Sequence, residues 1–264
     1  MYVDVHTHLT DERFASDTDA VVARARLAGV SVIVNNGVCP DTNRATLDLA
    51  RRHSEVKAAL GIYPVYAVAR TLPSDFVLEV PRFDPDPEIR WIREQADLGH
   101  VHAIGEIGLD GHWVGDETFA EQERVFEALL QIAMELDMPA IIHTRKREAR
   151  ALEILQHLGV RRAVFHCFGG NFELARRCAA AGYALSIPAN AERNKAFAQM
   201  LKSLPPESLL TETDAPYLSP DKGTRNEPAN VTRTIAFLAK QRALPLEEAR
   251  DLVWQNYRRV FNLV

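Results

Sequence analysis

Six side chains in this sequence have the types and positions for metal chemistry: His6, His8, Glu106, His143, His166 and Asp214. Glu106 is the least expected of them. It stands in Ala103-Ile104-Gly105-Glu106-Ile107-Gly108-Leu109-Asp110, an apolar run in which glycines leave it room. A carboxylate in a buried strand is costly unless a hydrogen bond, a positive partner or a metal stabilises it. Asp4, His6 and His8 alternate along another short run, so an extended strand turns all three to one face. His143, His166 and Asp214 each stand at or near the end of a further apolar run. Four imidazoles with two or three carboxylates form a metal-site inventory. Six ligands exceed what one catalytic zinc with an open position needs. They suit two ions about 3.5–4 Å apart that share a bridging carboxylate and a bridging water. Any one of these residues alone reads equally as a hydrogen-bonded core residue, but ligand types at five separate strand ends do not. His53, His100, His102 and His157 are expected to be structural, and His112 stays open because its loop follows Glu106 directly.

The elements that must position these residues can be read in order. Strands are expected at Val3–His8, Val30–Val34, Lys57–Tyr63, around Glu106, and at Pro139–His143, Arg162–Phe168, Tyr183–Ile187 and Leu209–Asp214. Between them lie helical patterns, including 17–28, 41–53, 88–98, 147–158, 172–181, 194–203, 229–241 and 246–261. The helix after Glu106 opens on Thr118-x-x-Glu121, the spacing of a capping box. Pro64 to Pro87 breaks the pattern and reads as a long ordered loop that could cover one side of a site. Strands alternating with helices imply a parallel sheet. Eight such units, with no composition shift along residues 1–264, point to an α/β chain folded as a single-domain (β/α)8 TIM barrel. The runner-up is an open doubly wound sheet. In a barrel the C-terminal strand ends converge on one rim, where active sites are built.

Composition narrows the function. The chain has 264 residues, 47% hydrophobic and 25% charged, enough for one sizeable core. A net charge of −5 argues against general nucleic-acid coating but leaves room for a locally positive cleft. Cys39, Cys167 and Cys178 have no paired spacing, which excludes a zinc ribbon or disulfide framework. The first residues lack a basic region followed by an apolar run, and no apolar run is long enough to span a bilayer. A cytoplasmic chain with no membrane contact and no obligate protein partner is expected.

Asp-Val-His-Thr-His-Leu, Gly-Glu-Ile-Gly-Leu-Asp, Ile-Ile-His-Thr-Arg, Phe-His-Cys-Phe-Gly-Gly, Glu-Thr-Asp-Ala-Pro-Tyr-Leu and Arg-Asn-Glu-Pro follow one another along the chain. In these motifs and their order, from residue 3 to Leu263, the sequence resembles the TatD family, metal-dependent deoxyribonucleases of the amidohydrolase superfamily. The resemblance implies a TIM barrel and DNA as substrate. It also implies that His6, His8 and Asp214 hold one ion, His143 and His166 hold another, and Glu106 bridges them. Two departures stand out. Where that family usually has Gly-x-His-Pro, this chain has Gly61-Ile62-Tyr63-Pro64, placing Tyr63 where a histidine would touch substrate. The Pro64–Pro87 segment is also longer and richer in proline than expected.

If that activity carries over, two divalent ions (Mg²⁺, Mn²⁺ or Zn²⁺) would activate a water for phosphodiester hydrolysis, and Asp214 would accept its proton. Glu212 shares a face with Asp214 and reads either as a residue orienting a ligand or as a structural ion-pair partner. Arg225 and Arg145 are candidate phosphate donors. Trp113 could stack on a base or cap the barrel. The alternatives are hydrolysis of another bond, such as an aminoacyl ester on tRNA, a lactone or an amide, and a metal-free scaffold. Many binuclear hydrolases of the superfamily bridge their metals with a carboxylated lysine, often from strand four; that strand here has none.

Overall fold

A computed structural model describes residues 1–263. Eight parallel strands follow one another in sequence order around the sheet: β1 (Tyr2–Thr7), β2 (Val30–Asn36), β3 (Val56–Leu60), β4 (Ala103–Asp110), β5 (Ala140–Arg145), β6 (Ala163–Phe165), β7 (Ala184–Ile187) and β8 (Leu209–Thr211). The residues after β8 return to β1 and all but close the ring. Thr211 Oγ1 donates to Val3 O at 3.1 Å, Asp214 N to His6 O at 2.9 Å and His8 N to Ala215 O at 2.7 Å. This is the (β/α)8 barrel, and the open-sheet alternative falls away.

The strands are almost wholly buried, because helices cover them outside and side chains fill the interior. Asp4 is pinned structurally: its carboxylate accepts from Thr213 N (2.9 Å) and Thr213 Oγ1 (2.5 Å), joining β1 to the segment that carries Asp214. Among the described residues no helix is long and apolar enough to cross a membrane.

Four expectations change. The strands expected to reach Tyr63, Phe168 and Asp214 stop at Leu60, Phe165 and Thr211, so His166 and Asp214 lie just past the ladder. The capping box does not form. A 3-10 turn, Asp116–Thr118, precedes the helix Phe119–Glu135; Thr118 Oγ1 donates back to Gly115 O, and Glu121 pairs with Arg124. The helix expected from Glu88 starts earlier, at Pro85, because the fixed proline φ suits a first helical turn and Asp84 caps it through Asp86 N. The 64–87 segment contains the short helix Pro64–Ala67 and builds a small core of its own from Val65, Val68 and Leu72, against Val114 and the partly buried Tyr63, Tyr66 and Trp113. Arg82 ties it together by donating to the carbonyls of Ala69, Leu72 and Pro73.

At the opposite end of β4, His102 bonds Tyr257 Oη at 2.7 Å and stacks on Phe261. Burial, with some repulsion from Lys57, pushes its pKa down to about 4. The unfolded chain therefore binds a proton that the folded chain refuses between pH 6.5 and 4, and stability falls as pH drops through that window. The stability of the parent relative to His102→Gln is expected to decline by on the order of 2–3 kcal/mol between pH 7 and 4.5. Denaturant titrations at the two pH values measure this, and a constant difference would contradict it.

Candidate metal centre

Two irregularities in the sheet aim the first donors. On β1, Asp4 pairs with Ile33 and Thr7 with Asn35, so three steps on one strand face two on the other. On β4, Ile104 faces Ala140 and Ile107 faces Ile142, again with one residue extra. Each is a bulge that re-aims a side chain, a feature common beside active sites. The first bulge carries His6 and the second carries Glu106. A close backbone approach supports Glu106 from the residue just after β3: a Cβ on Gly61 would lie 2.4 Å from Glu106 O, so only glycine fits there.

The six expected metal residues come together. Glu106 Oε2 lies 3.5 Å from His6 Nε2 and 3.4 Å from His8 Nε2, and Asp214 Oδ1 is 3.7 and 3.6 Å from the same nitrogens. Glu106 Oε1 lies 2.9 Å from His143 Nδ1 and 3.3 Å from His166 Nε2. One carboxylate thus divides the cluster into two lobes and turns one oxygen to each. His6 and His166 stack across the division, with ring centroids 3.8 Å apart.

The partners on the far side of two of the rings assign tautomers. His8 Nδ1 is 3.1 Å from Asn36 O, which can only accept, so Nδ1 carries the proton. His143 Nε2 is 3.1 Å from Asp110 Oδ2, so the proton facing that carboxylate sits on Nε2; His166 Nδ1 makes no hydrogen bond and lies 3.6 Å from the Glu212 Oε2 charge. Glu212 is fixed in turn by Ser186 Oγ at 2.5 Å. As neutral rings, His8 and His143 then present Nε2 and Nδ1 lone pairs to the Glu106 carboxylate, with His166 Nε2 beside them. A lone pair facing a carboxylate oxygen at 2.9–3.4 Å is relieved by a proton or a metal ion between them, so the cluster draws positive charge inward. Imidazole nitrogen with carboxylate oxygen is a donor set for a divalent transition metal, so the residues fit such an ion.

The electrostatics agree. Burial raises the cost of charge on Glu106, yet His166, His143 and His6 facing it hold the carboxyl well below its usual range. Despite burial, Glu212 and Glu106 raise His166 well above the ordinary imidazole value, and Asp110 and Glu106 raise His143. Burial and the neighbouring His166 hold His6 down at about 4, while burial, reinforced by Glu212 and Glu106, pushes Asp214 up to about 8. A negatively charged centre thus attracts positive charge into the rim.

The candidates for substrate contact are placed less uniformly. Arg145 ends β5 exposed, its guanidinium 5.5 Å from the Trp113 ring centroid. Tyr63 is half-buried, edge-on to His143, with its hydroxyl 3.3 Å from Asp110 Oδ2. Arg225, the other phosphate candidate, has another commitment. Its Nη1 and Nη2 donate to Asp17 at 2.8 and 2.7 Å, Nη1 also donates to Arg13 O, and the guanidinium lies over Phe14. It pins the loop after β8 to the helix Thr18–Leu27. His112 is exposed and outside the cluster.

Asp110 was missed as a functional residue, although its position four after Glu106 on the same strand carries the signal. Its Oδ1 accepts from the backbone N–H groups of His112 (2.7 Å) and Trp113 (2.9 Å), which fixes Oδ2 on His143. Ser186, a lone hydroxyl in the apolar Ala184–Ile187, is the matching support behind Glu212. Asp110→Asn would set an amide N–H against His143 Nε2 and favour the wrong tautomer. Metal affinity is expected to fall about 10- to 100-fold. Competitive chelator titration measures the loss, and ¹⁵N chemical shifts of His143 should show the proton moved to Nδ1. Unchanged affinity and shifts would contradict the assignment.

Comparison with known proteins agrees with this geometry. Residues 3–262 match the family described as "TatD related DNase". The chain is 32% identical to the "3'-5' ssDNA/RNA exonuclease TatD" of Salmonella typhimurium over 272 residues, covering 99% of each. It is 31% identical to human "Deoxyribonuclease TATDN3" over 263 residues, covering 98% of this chain and 94% of the relative. Among solved structures, YJJV, a TatD homologue from Escherichia coli K12, superposes with a TM-score of 0.86 at 27% identity, covering 100% of this chain and 98% of the other. Motifs, barrel and relatives converge: the chain belongs to the TatD family.

Proposed function

We propose that this protein is a divalent-metal-dependent hydrolase that cleaves phosphodiester bonds in DNA with two ions. The observation that carries the reading is Glu106, one oxygen toward each lobe, with His6, His8 and Asp214 around one and His143 and His166 around the other. Such an ion pair supplies Lewis acidity toward the phosphoryl oxygens and lowers the pKa of the attacking water toward neutrality. The rest falls to the chain. Glu106 sets the spacing of the lobes. Asp214, at the solvent edge of the cluster, accepts the proton of the attacking water. Asp110 holds His143 in the tautomer that presents a lone pair inward, and the Glu212 carboxylate stands behind His166.

Arg145 is exposed and has no carboxylate partner among the described residues, so it is free to meet a phosphate beside Trp113. Tyr63 acts on the substrate side through His143, because its hydroxyl is engaged by Asp110. The relatives named as exonuclease and deoxyribonuclease support nucleic acid as the substrate class.

The test is an assay on 5′- and 3′-labelled single- and double-stranded DNA with Mg²⁺, Mn²⁺ or Zn²⁺. The expected result is metal-dependent shortening that a chelator stops. Intact DNA under all three ions would overturn the reading and direct attention to aminoacyl-ester, lactone or amide substrates.

A further inference from the structure

Four aromatic rings lie around the mouth of the metal centre, but only one is open. Tyr63, Tyr66 and Trp113 are partly buried in the small core of the 64–87 segment. Tyr217 is 49% exposed, although its ring stands edge-on to that of His8 at 6.4 Å. An exposed tyrosine within one ring's width of a metal ligand has no packing role that requires it there.

Its placement is rigid. Tyr217 N donates to Asp214 O at 2.8 Å, closing a turn whose first residue is itself in the metal cluster. Arg13 lies over the ring, its guanidinium carbon 4.2 Å from the centroid. Asp11 grips Arg13 with two parallel bonds, Nε to Oδ1 and Nη2 to Oδ2, each 2.8 Å. Asp11 N in turn donates to His8 O at 3.1 Å. Both halves of the stacked pair thus hang from a donor in the same lobe, Arg13 five residues after His8 and held through Asp11, and Tyr217 three residues after Asp214.

We infer that Tyr217 and Arg13 form the nucleobase subsite, a stacking platform for the base next to the scissile phosphate of a single-stranded substrate. The inference rests on the nuclease reading and adds where the base sits. A fixed π surface backed by a guanidinium suits any base face, because stacking tolerates sequence, and the positive charge suits the adjoining phosphate. Open stacking of this kind requires an unpaired base, so it selects single strands and frayed ends over intact duplex. The platform flanks the His6–His8–Asp214 lobe, while Arg145 flanks the His143 lobe. A strand crossing the rim would therefore leave its base on one side and a phosphate on the other.

The experiment measures the affinity of the metal-reconstituted protein for two cleavage-resistant phosphorothioate oligonucleotides. One carries 2-aminopurine at its terminal positions and the other carries abasic spacers there. The parent is expected to prefer the base-bearing strand by about 10-fold, within the roughly 5- to 150-fold that one base–aromatic stack contributes. Tyr217→Ala should lose that preference, and Tyr217→Phe, which keeps the ring, should retain it. Quenching of 2-aminopurine fluorescence in the parent and its loss in Tyr217→Ala report the stack directly. Metal stoichiometry and circular dichroism confirm that each variant folds. If Tyr217→Ala discriminates as the parent does, or if the parent binds both strands equally, the platform is wrong and the nuclease reading stands. If the parent binds neither strand, the nucleic-acid reading fails and the platform with it.

Discussion

Glu106→Gln is expected to leave a folded barrel that no longer holds a pair of ions. The substitution keeps the size and one acceptor oxygen but puts an N–H₂ where an oxygen now faces one of the two lobes. That amide neither bridges two cations nor offsets their charge. Transition-state stabilisation by a metal pair amounts to several kcal/mol. Losing about 4 kcal/mol of it corresponds to roughly a thousandfold fall in turnover. Metal content should drop from two ions to at most one, while the far-ultraviolet dichroism remains that of the parent. Turnover within tenfold of the parent would show that the carboxylate is not the shared ligand. Glu212→Gln offers a contrast, because Glu212 stands behind His166 rather than between the lobes, and it should cost affinity on the scale of 10- to 100-fold.

The second large effect is one of packing. Gly108 lies on β4 between Glu106 and Asp110, with φ of +145°, and a Cβ there would be 2.0 Å from His143 O. Gly108→Ala therefore meets two penalties: a backbone conformation that L side chains rarely adopt, and a clash with main chain that cannot rotate away. Destabilisation on the order of 3 kcal/mol or more is expected, with reduced metal affinity because His143 must shift. Gly159→Ala calibrates this. Gly159 also has positive φ (+71°) but nothing within 4 Å of its would-be Cβ, so about 1 kcal/mol is expected there. Thermal and denaturant unfolding of the two variants compares them. Equal costs would mean that the β4–β5 contact yields more readily than a 2.0 Å approach to main chain allows.

These contrasts explain what the sequence could and could not convey. The barrel was legible because apolar runs, helix periods and terminal glycines are local signals. The ligand set was legible because ligand-type residues in apolar runs conflict with burial, and the conflict recurs at several strand ends. The bulges were not. Alternation alone puts Asp4 on the same face as His6 and His8, whereas the extra residue on β1 breaks the period, and the Asp4 carboxylate serves as a pin for Thr213. Partners distant in sequence were equally hidden. Arg225 stands in a motif that suggests a phosphate ligand, but Asp17, over two hundred positions earlier, already grips it. Tyr63 was visible as a departure, and only the fold reveals that its hydroxyl joins the Asp110–His143 pair. Thr118 and Glu121 have capping-box spacing, yet the 3-10 turn before Phe119 uses the threonine hydroxyl on Gly115.

The central claim is that Glu106 joins two divalent ions. Anomalous diffraction from crystals grown with Mn²⁺ or Zn²⁺ tests it most directly. Two peaks about 3.5–4 Å apart are expected, one among His6, His8 and Asp214 and the other between His143 and His166, each within bonding distance of a different Glu106 oxygen. A single peak at saturating metal, or two peaks with Glu106 bound to one alone, would contradict it.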